Sequence, residues 1–335
     1  MTTAPSSPLP PAELVTDGVW SIPVPLSESP IGSVMVYAVE HDKGLLLIDA
    51  GYEDESCWQA LVAGLATADR SVADITGIVL THCHPDHVGL ADRVRAASGA
   101  WVAIHERDAL AHLAGTEGTF LDQLDTELRL AGLPDASREE MVEASRRLSR
   151  HAHQLRVDRF LVAGGVVTEP GLELRVIATP GHTRGHVCLH DEGRGHLFGG
   201  DLLLTTGEIQ LGVVSTPDDD PAGELLASLE LVQSLPISIV LPGHGEVFAD
   251  AGPRAASAAA ALEGRIATAA ENVRARPGLT AWERCELLTW SRDWERMGSS
   301  SKRFAVMQLM AWLRRLSAAG TAILDPGPPE RMSAA

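Results

Sequence analysis

Short apolar or alternating runs are interleaved, through about residue 250, with stretches of helical period. Residues 19–24, 32–40 and 44–50 read as strands, the last two joined by the turn His41-Asp42-Lys43-Gly44 as a hairpin. Residues 54–68 set Trp58, Leu61, Val62 and Leu65 on one face of a helix. Gly77-Ile78-Val79-Leu80 is a buried strand that opens into a polar loop. Residues 90–97 then read as a helix ending near Gly99, and 101–104 as another strand. Strand followed by helix, repeated, predicts a layered α/β domain.

From about 106 to 156 the period becomes helical. Phe120, Leu121, Leu124 and Leu128 fall on one face, Gly132-Leu133-Pro134 breaks the pattern, and Ser137-Arg138-Glu139-Glu140 reads as the capping box of a second helix. This insert lies between two strands, where a lid over a site would be placed. Strands resume at 158–162 and 172–179, and a hairpin spans 187–201. A helix starting at Asp220-Pro221 buries Leu225, Leu226, Leu229 and Val232, and a last strand covers 237–241. Beyond Asp250 the chain is helical: Leu262, Ile266, Ala269 and Val273 space one helix, Thr280-Ala281-Trp282-Glu283 caps a second, and 304–316 forms a third closed by Gly320. A short apolar run, 321–324, reads as a strand or wing. The predicted organisation is a flexible Pro/Ser-rich arm (1–17), an α/β domain (18–250) with a helical insert (106–156), a helical, winged-helix-like module (251–325) and a disordered tail (326–335).

Composition narrows the function. Of 335 residues 45% are apolar, enough for a substantial core, and the formal charge of −18 weighs against binding a phosphate backbone. Cys57, Cys83, Cys188 and Cys285 show no paired spacing and read as reduced thiols. The N-terminal stretch has neither a basic nor an apolar leader region, and no apolar run is long enough to span a membrane, so a cytoplasmic protein is expected.

The chemistry concentrates in Thr81-His82-Cys83-His84-Pro85-Asp86-His87-Val88-Gly89. Side chains at i and i+2 of an extended chain share a side, so His82 and His84 can grip one ion, with Cys83 pointing away. Asp86 and His87 follow a proline turn and can reach a second ion. The same device, an apolar strand ending near glycine and presenting one His or Asp, recurs at Pro180-Gly181-His182, Gly199-Gly200-Asp201 and Pro242-Gly243-His244. Imidazoles with a carboxylate suit zinc, and iron or manganese less exclusively. Asp49, at the tip of the 44–50 strand, reads either as a turn former or as an acceptor orienting a ligand imidazole. His186 reads as a support rather than a ligand. His105, at a strand end, reads either as bordering the site or, the favoured reading, as a solvent-facing polar residue. His41, His112, His151, His153, His190 and His196, in turns or helices, are assigned no role. Tyr52 is a candidate oxyanion donor. Arg146, Arg147 and Arg150, at the end of the insert, read as a solvated helix face or as a clamp for an anionic carrier.

His82-Cys83-His84-Pro85-Asp86-His87, then His182, Asp201 and His244, resembles the dinuclear pattern of the metallo-β-lactamase fold superfamily. The resemblance covers roughly residues 18–250 and implies an αββα sandwich. It assigns His82, His84 and His182 to a first metal and Asp86, His87 and His244 to a second, with Asp201 bridging. It also implies two zinc ions and hydrolysis by a metal-bridging hydroxide, with Asp86 and Asp201 as the catalytic carboxylates. An aspartate at 201 is similar to thioesterases, lactonases and nucleases of the superfamily, where antibiotic-degrading members carry cysteine or serine. His84 stands where the flavodiiron branch typically carries glutamate. Pro180-Gly181-His182-Thr183 resembles glyoxalase II and lactamase-beta-2 relatives, which have no obvious counterpart to so long an insert. The expected activity is cleavage of an acyl-CoA, acyl-carrier or acyl-glutathione thioester. The alternatives are a lactonase or carboxylic ester hydrolase, an endoribonuclease, which the charge disfavours, and a non-catalytic binding protein, which the complete ligand set disfavours. A small-molecule substrate is the expected partner, and a homodimer is left open.

Overall fold

In the computed structural model, the described residues are 9–335 apart from 27–31, 117–118, 149–154, 206–207, 213–217 and 291. Two sheets form the middle of the molecule. The first runs β1 (Glu13–Thr16), β2 (Val19–Pro25), β3 (Ser33–His41), β4 (Gly44–Ile48), β5 (Ile75–Val79), β6 (Trp101–His105), β7 (Arg159–Leu161) in that spatial order. Its pairings are antiparallel as far as β4 and parallel from there on. The second sheet contains β8 (Val166–Glu169), β9 (Leu172–Ala178), β10 (Val187–Asp191), β11 (His196–Gly200) and β12 (Ile239–Pro242), ordered β12-β11-β10-β9-β8.

The strand period of two sorts side chains into layers. On β3 and β4, Tyr37, Val39, Leu46 and Ile48 face the other sheet and meet Val176, Leu189, Phe198 and Leu241. The alternate residues Val34, Val36, Leu45 and Leu47 pack outward against Leu61 and Leu65 of α1 (Glu55–Thr67) and Val94 of α3 (Ala91–Ser98). On the far face, Cys188, Leu197 and Val240 of the second sheet meet Leu225, Leu229 and Val232 of α7 (Pro221–Gln233). The result is the expected αββα sandwich.

Among its described residues the insert holds three helices rather than the two expected: α4 (Glu106–Thr116), α5 (Thr119–Leu130) and α6 (Asp135–Leu148). The last starts straight after Pro134, whose carbonyl accepts from Arg138 N, so Ser137 lies inside the first turn and is not its cap. Leu124, Leu128 and Met141 of the insert share one core with α8 (Ala251–Ala275) and α10 (Ser299–Ala318). The capping box at Thr280 and Glu283 heads α9 (Ala281–Cys285), as expected.

Both chain ends depart from expectation. Glu13–Thr16, assigned to the flexible arm, pairs with β2, and Val15 packs against the inter-sheet core. The tail assigned to disorder forms β14 (Arg331–Ala334), paired with β13 (Ala322–Asp325). Met332 is buried in the shared core, and Arg314 and Glu330 form a buried ion pair at 2.6 Å. His190 and His196, read as turn residues, are buried in β10 and β11. The four cysteines are free thiols. Among the described residues no helix is long and apolar enough to cross a membrane.

Candidate metal centre

Parallel strands deliver their C-terminal ends to one edge, and the site is built there. β5 leads into the loop carrying His82 and His84. The short helix α2 (Pro85–Val88), with proline in its first turn, then turns Asp86 and His87 inward. In the second sheet the turn after β9 brings His182, the end of β11 brings Asp201, and the end of β12 brings His244. The two sheets are tied together at this edge. Tyr37 Oη donates to Pro242 O at 2.8 Å, and Met35 N donates to Gly243 O at 2.8 Å.

Two groups of donors result: His82, His84, His182 and Asp201, and beside them Asp86, His87 and His244, with donor atoms in each group within 4.8 Å of one another. All seven expected ligands are brought together. His84 Nδ1 lies 3.0 Å from His82 Nε2 and 2.9 Å from His182 Nε2, and Asp201 Oδ2 lies 3.5 Å from His182 Nε2. In the second group His244 Nε2 is 3.4 Å from Asp86 Oδ2. Asp201 Oδ1 is 3.5 Å from both His87 Nε2 and His244 Nε2. Asp201 therefore turns one oxygen toward each group. A β-carbon at Gly243 would come within 2.6 Å of Asp201 Oδ1 and 2.8 Å of the His87 ring, so only glycine admits this approach.

Outward-facing nitrogens fix which lone pairs point in. His182 Nδ1 donates to Gln210 O at 2.7 Å, His244 Nδ1 to Ser33 O at 2.9 Å, and His87 Nδ1 to Asp49 Oδ2 at 2.8 Å. Thr81 Oγ1 gives its proton to Asp49, leaving it to accept from His82 Nδ1 at 3.0 Å. Each of these four imidazoles thus turns Nε2 to the centre, and His84 alone turns Nδ1.

A cation fits this arrangement. The lone pairs of His82 and His182 both face His84 Nδ1, which can offer a proton to only one of them, whereas an ion satisfies all three. His87 Nε2 and Asp201 Oδ1 are buried without a hydrogen-bond partner, as expected of metal donors. The N···N and N···O separations of 2.9–3.5 Å bracket the edge of roughly 3.3 Å that bonds of about 2.0–2.1 Å give a tetrahedron.

Burial lowers the pKa of His84 to about 3, helped by its neighbour His182, and drives His82 well below its ordinary value. Burial opposes charge on His87 and His244 too, but there carboxylates prevail. Asp49 and Asp201 raise His87 to about 9, and Asp201 with Asp86 raises His244 to about 11. For Asp86 burial is outweighed by His87 and His244, giving about 2, and Asp201 also falls well below the carboxylate range.

Asp49 accepts from Thr81 N at 2.8 Å and from His87 Nδ1 at 2.8 Å, contacts beyond those of a simple turn former. His186 Nδ1 meets Thr179 Oγ1 at 2.8 Å, and its Nε2 accepts from Asp201 N at 3.1 Å, beside the donor groups rather than among them. Tyr52 is half-buried, and burial, with the charge of Asp86, raises its pKa. Arg146 is exposed and paired with Glu143 at 3.3 Å. The side chain of Arg147, and Arg150, His151 and His153, lie outside the described residues. Asp108, which had no sequence reading, is buried on α4 and accepts from both ligand loops. One of two acidic residues in the first turn of a helix, beside Glu106, Asp108 gives no sequence signal beyond a favourable charge there.

Two packed sheets with imidazoles and carboxylates converging on one edge define a metal-dependent hydrolase. The family model of the metallo-beta-lactamase superfamily matches residues 30–244, and the chain belongs to that superfamily. It is 31% identical over 245 residues to the probable metallo-hydrolase YqjP of Bacillus subtilis, covering 70% of this chain and 73% of that one. It is 30% identical over 219 residues to the acyl-coenzyme A thioesterase MBLAC2 of Gallus gallus, covering 64% of this chain and 73% of that one. Among solved structures, the metallo-beta-lactamase family protein TTHA1429 of Thermus thermophilus superposes with a TM-score of 0.81 at 26% identity. That alignment covers 96% of this chain and 100% of that one.

Proposed function

We propose that this protein is a dinuclear, zinc-dependent thioesterase acting on a small-molecule or carrier-linked acyl thioester. The observation that carries the dinuclear reading is Asp201, whose two oxygens turn to two separate donor groups. The thioester reading is supported by the likeness to a relative named an acyl-coenzyme A thioesterase.

Ions held by the two groups would supply Lewis acidity and a water that ionises near pH 7. The chain's own residues prepare for this. Asp201 faces both groups, and Asp86, ionised throughout the neutral range, serves as a fixed negative donor. Asp49 holds His87 with its lone pair inward, and Thr81 does the same for His82. His186 fixes the backbone at Asp201. Tyr52, whose phenol stays protonated at neutral pH and feels Asp86, is the hydrogen-bond donor proposed for the substrate carbonyl oxygen. Arg146, with Arg147 and Arg150, is proposed to meet an anionic carrier. The proposed division is a catalytic domain, about 18–250, followed by a C-terminal winged-helix-like module.

The test is turnover by metal-analysed protein on acyl-CoA, acyl-glutathione, a homoserine lactone and single-stranded RNA. Two zinc ions per chain with thiol release are expected. Acid release from the lactone alone would replace the thioesterase reading by the esterase one, and cleavage of RNA alone would replace both.

A further inference from the structure

We propose that Asp108 is a positioning residue that sets the separation of the loops carrying His82, His84 and His182, and with it the affinity of that donor group for its ion. The proposal rests on the reading of the cluster as a metal site.

Asp108 is 1% exposed and stands on α4, the first helix of the insert, outside the strand-end loops and α2 that carry the candidate ligands. Its Oδ2 accepts from Cys83 N at 2.9 Å and Thr183 Oγ1 at 2.6 Å, and its Oδ1 accepts from Gly185 N at 2.6 Å. Cys83 lies between His82 and His84, and Thr183 follows His182. One carboxylate therefore clasps the loop from the first sheet to the loop from the second, where His84 and His182 come within 2.9 Å. Asp49 does something different. Its partners, Thr81 and His87, both belong to the first sheet's loop and helix, so it orients side chains without joining the sheets.

Gly185 shows how tightly α4 is seated. A β-carbon there would lie 2.6 Å from Asp108 Oδ1 and 2.8 Å from its backbone nitrogen, so the helix approaches the His182 loop to a distance only glycine allows. An ionised carboxylate can accept all three hydrogen bonds. An amide of the same shape offers one oxygen and turns two N–H donors toward a donor, which opens one side of the clasp.

The experiment is stepwise zinc binding by Asp108→Asn in competition with a chromophoric chelator, with cobalt substitution to follow each site by its absorption. The two sites are assigned from His182→Ala and His244→Ala. The expected result is about a 10–100-fold weakening confined to the His82–His84–His182–Asp201 group. Thr183→Val, which removes one of the three donors and keeps the carboxylate, is expected to weaken the same site by less. It carries the test if Asp108→Asn does not fold. Equal weakening of both sites, or unchanged zinc affinity with only a lower unfolding temperature, would make Asp108 a packing element and overturn the proposal. A parent protein that takes up no zinc would overturn the metal reading itself, and this proposal with it.

Discussion

Asp49 Oδ2 lies 2.8 Å from His87 Nδ1, and both side chains are almost wholly shielded from water. The backbone at Asp49 is left-handed, with φ of 59°, a conformation that aspartate and asparagine tolerate better than most residues. Asp49→Ala removes the acceptor for His87 and leaves Thr81 N–H without its partner, at a cost of about 1–3 kcal/mol. The variant is expected to lose about 10–100-fold in activity or metal affinity, with Asp49→Asn milder because it keeps one acceptor and tolerates the φ. Metal analysis beside thioester turnover checks this. Parental zinc content in Asp49→Ala would show that His87 is oriented by something else.

Asp201 has the larger consequence because its two oxygens face both donor groups. Asp201→Ala takes the carboxylate from each group at once, leaving three donors in each. Turnover is expected to vanish and zinc content to fall below two per chain. Elemental analysis of dialysed protein is the direct readout. Full activity in this variant would refute the shared-ligand mechanism.

The protonation of His87 and His244 yields a pH signature. With folded values of about 9 and about 11, both are imidazolium in the metal-free protein at neutral pH. Zinc must displace both protons, so binding at pH 7 is expected to release about two protons per chain from these groups and to tighten as pH rises. Calorimetric titration in buffers of different ionisation enthalpy measures the number. A histidine with a raised folded pKa stabilises the fold fully below its unfolded value of about 6.5 and loses that contribution as pH climbs through the folded one. Asp86, lowered to about 2, contributes above the usual carboxylate value and loses its share as pH falls through 2. His82 and His84, pushed down by burial, act in the opposite sense and cost stability as pH falls below about 6.5. The metal-free protein is therefore expected to melt highest near about pH 6.5 and to lose stability toward about pH 10. A melting temperature that rises between pH 7 and 10 would contradict these charges.

The candidate ligands were legible in the sequence because His82, His84, His182, Asp201 and His244 follow apolar strands that end near glycine, and Asp86 and His87 follow the proline turn that starts α2. The layered fold was legible because 32–40 is a continuous apolar run, as a strand covered on both faces must be, while 172–179 alternates between buried and exposed positions. Short elements were not: Glu13–Thr16, Val166–Glu169 and Arg331–Ala334 have four residues each, too few for a period to show. Asp108 and the carbonyls of Ser33 and Gln210 were invisible for a different reason. Their roles arise from chain segments that meet only in three dimensions, and a backbone carbonyl has no sequence signature at all.

The C-terminal hairpin exposes that limit most plainly, and Met332 tests it. Pro326 to Pro329 looks like the start of a loose tail, yet Met332 is 1% exposed and belongs to the core shared by the insert and the C-terminal helices. Its carbonyl also accepts from Arg284 Nη2 at 2.7 Å, and that guanidinium is itself buried. Met332→Ala would empty a packed position, which costs about 2–5 kcal/mol in comparable cores. Urea unfolding is expected to show a loss of that order, whereas Ser333→Ala, half-buried beside it, is expected to change stability little. If Met332→Ala unfolds like the parent, the hairpin is dispensable and the shared core ends at α10. If it loses the expected stability, the last residues of the chain help hold the insert that carries Asp108.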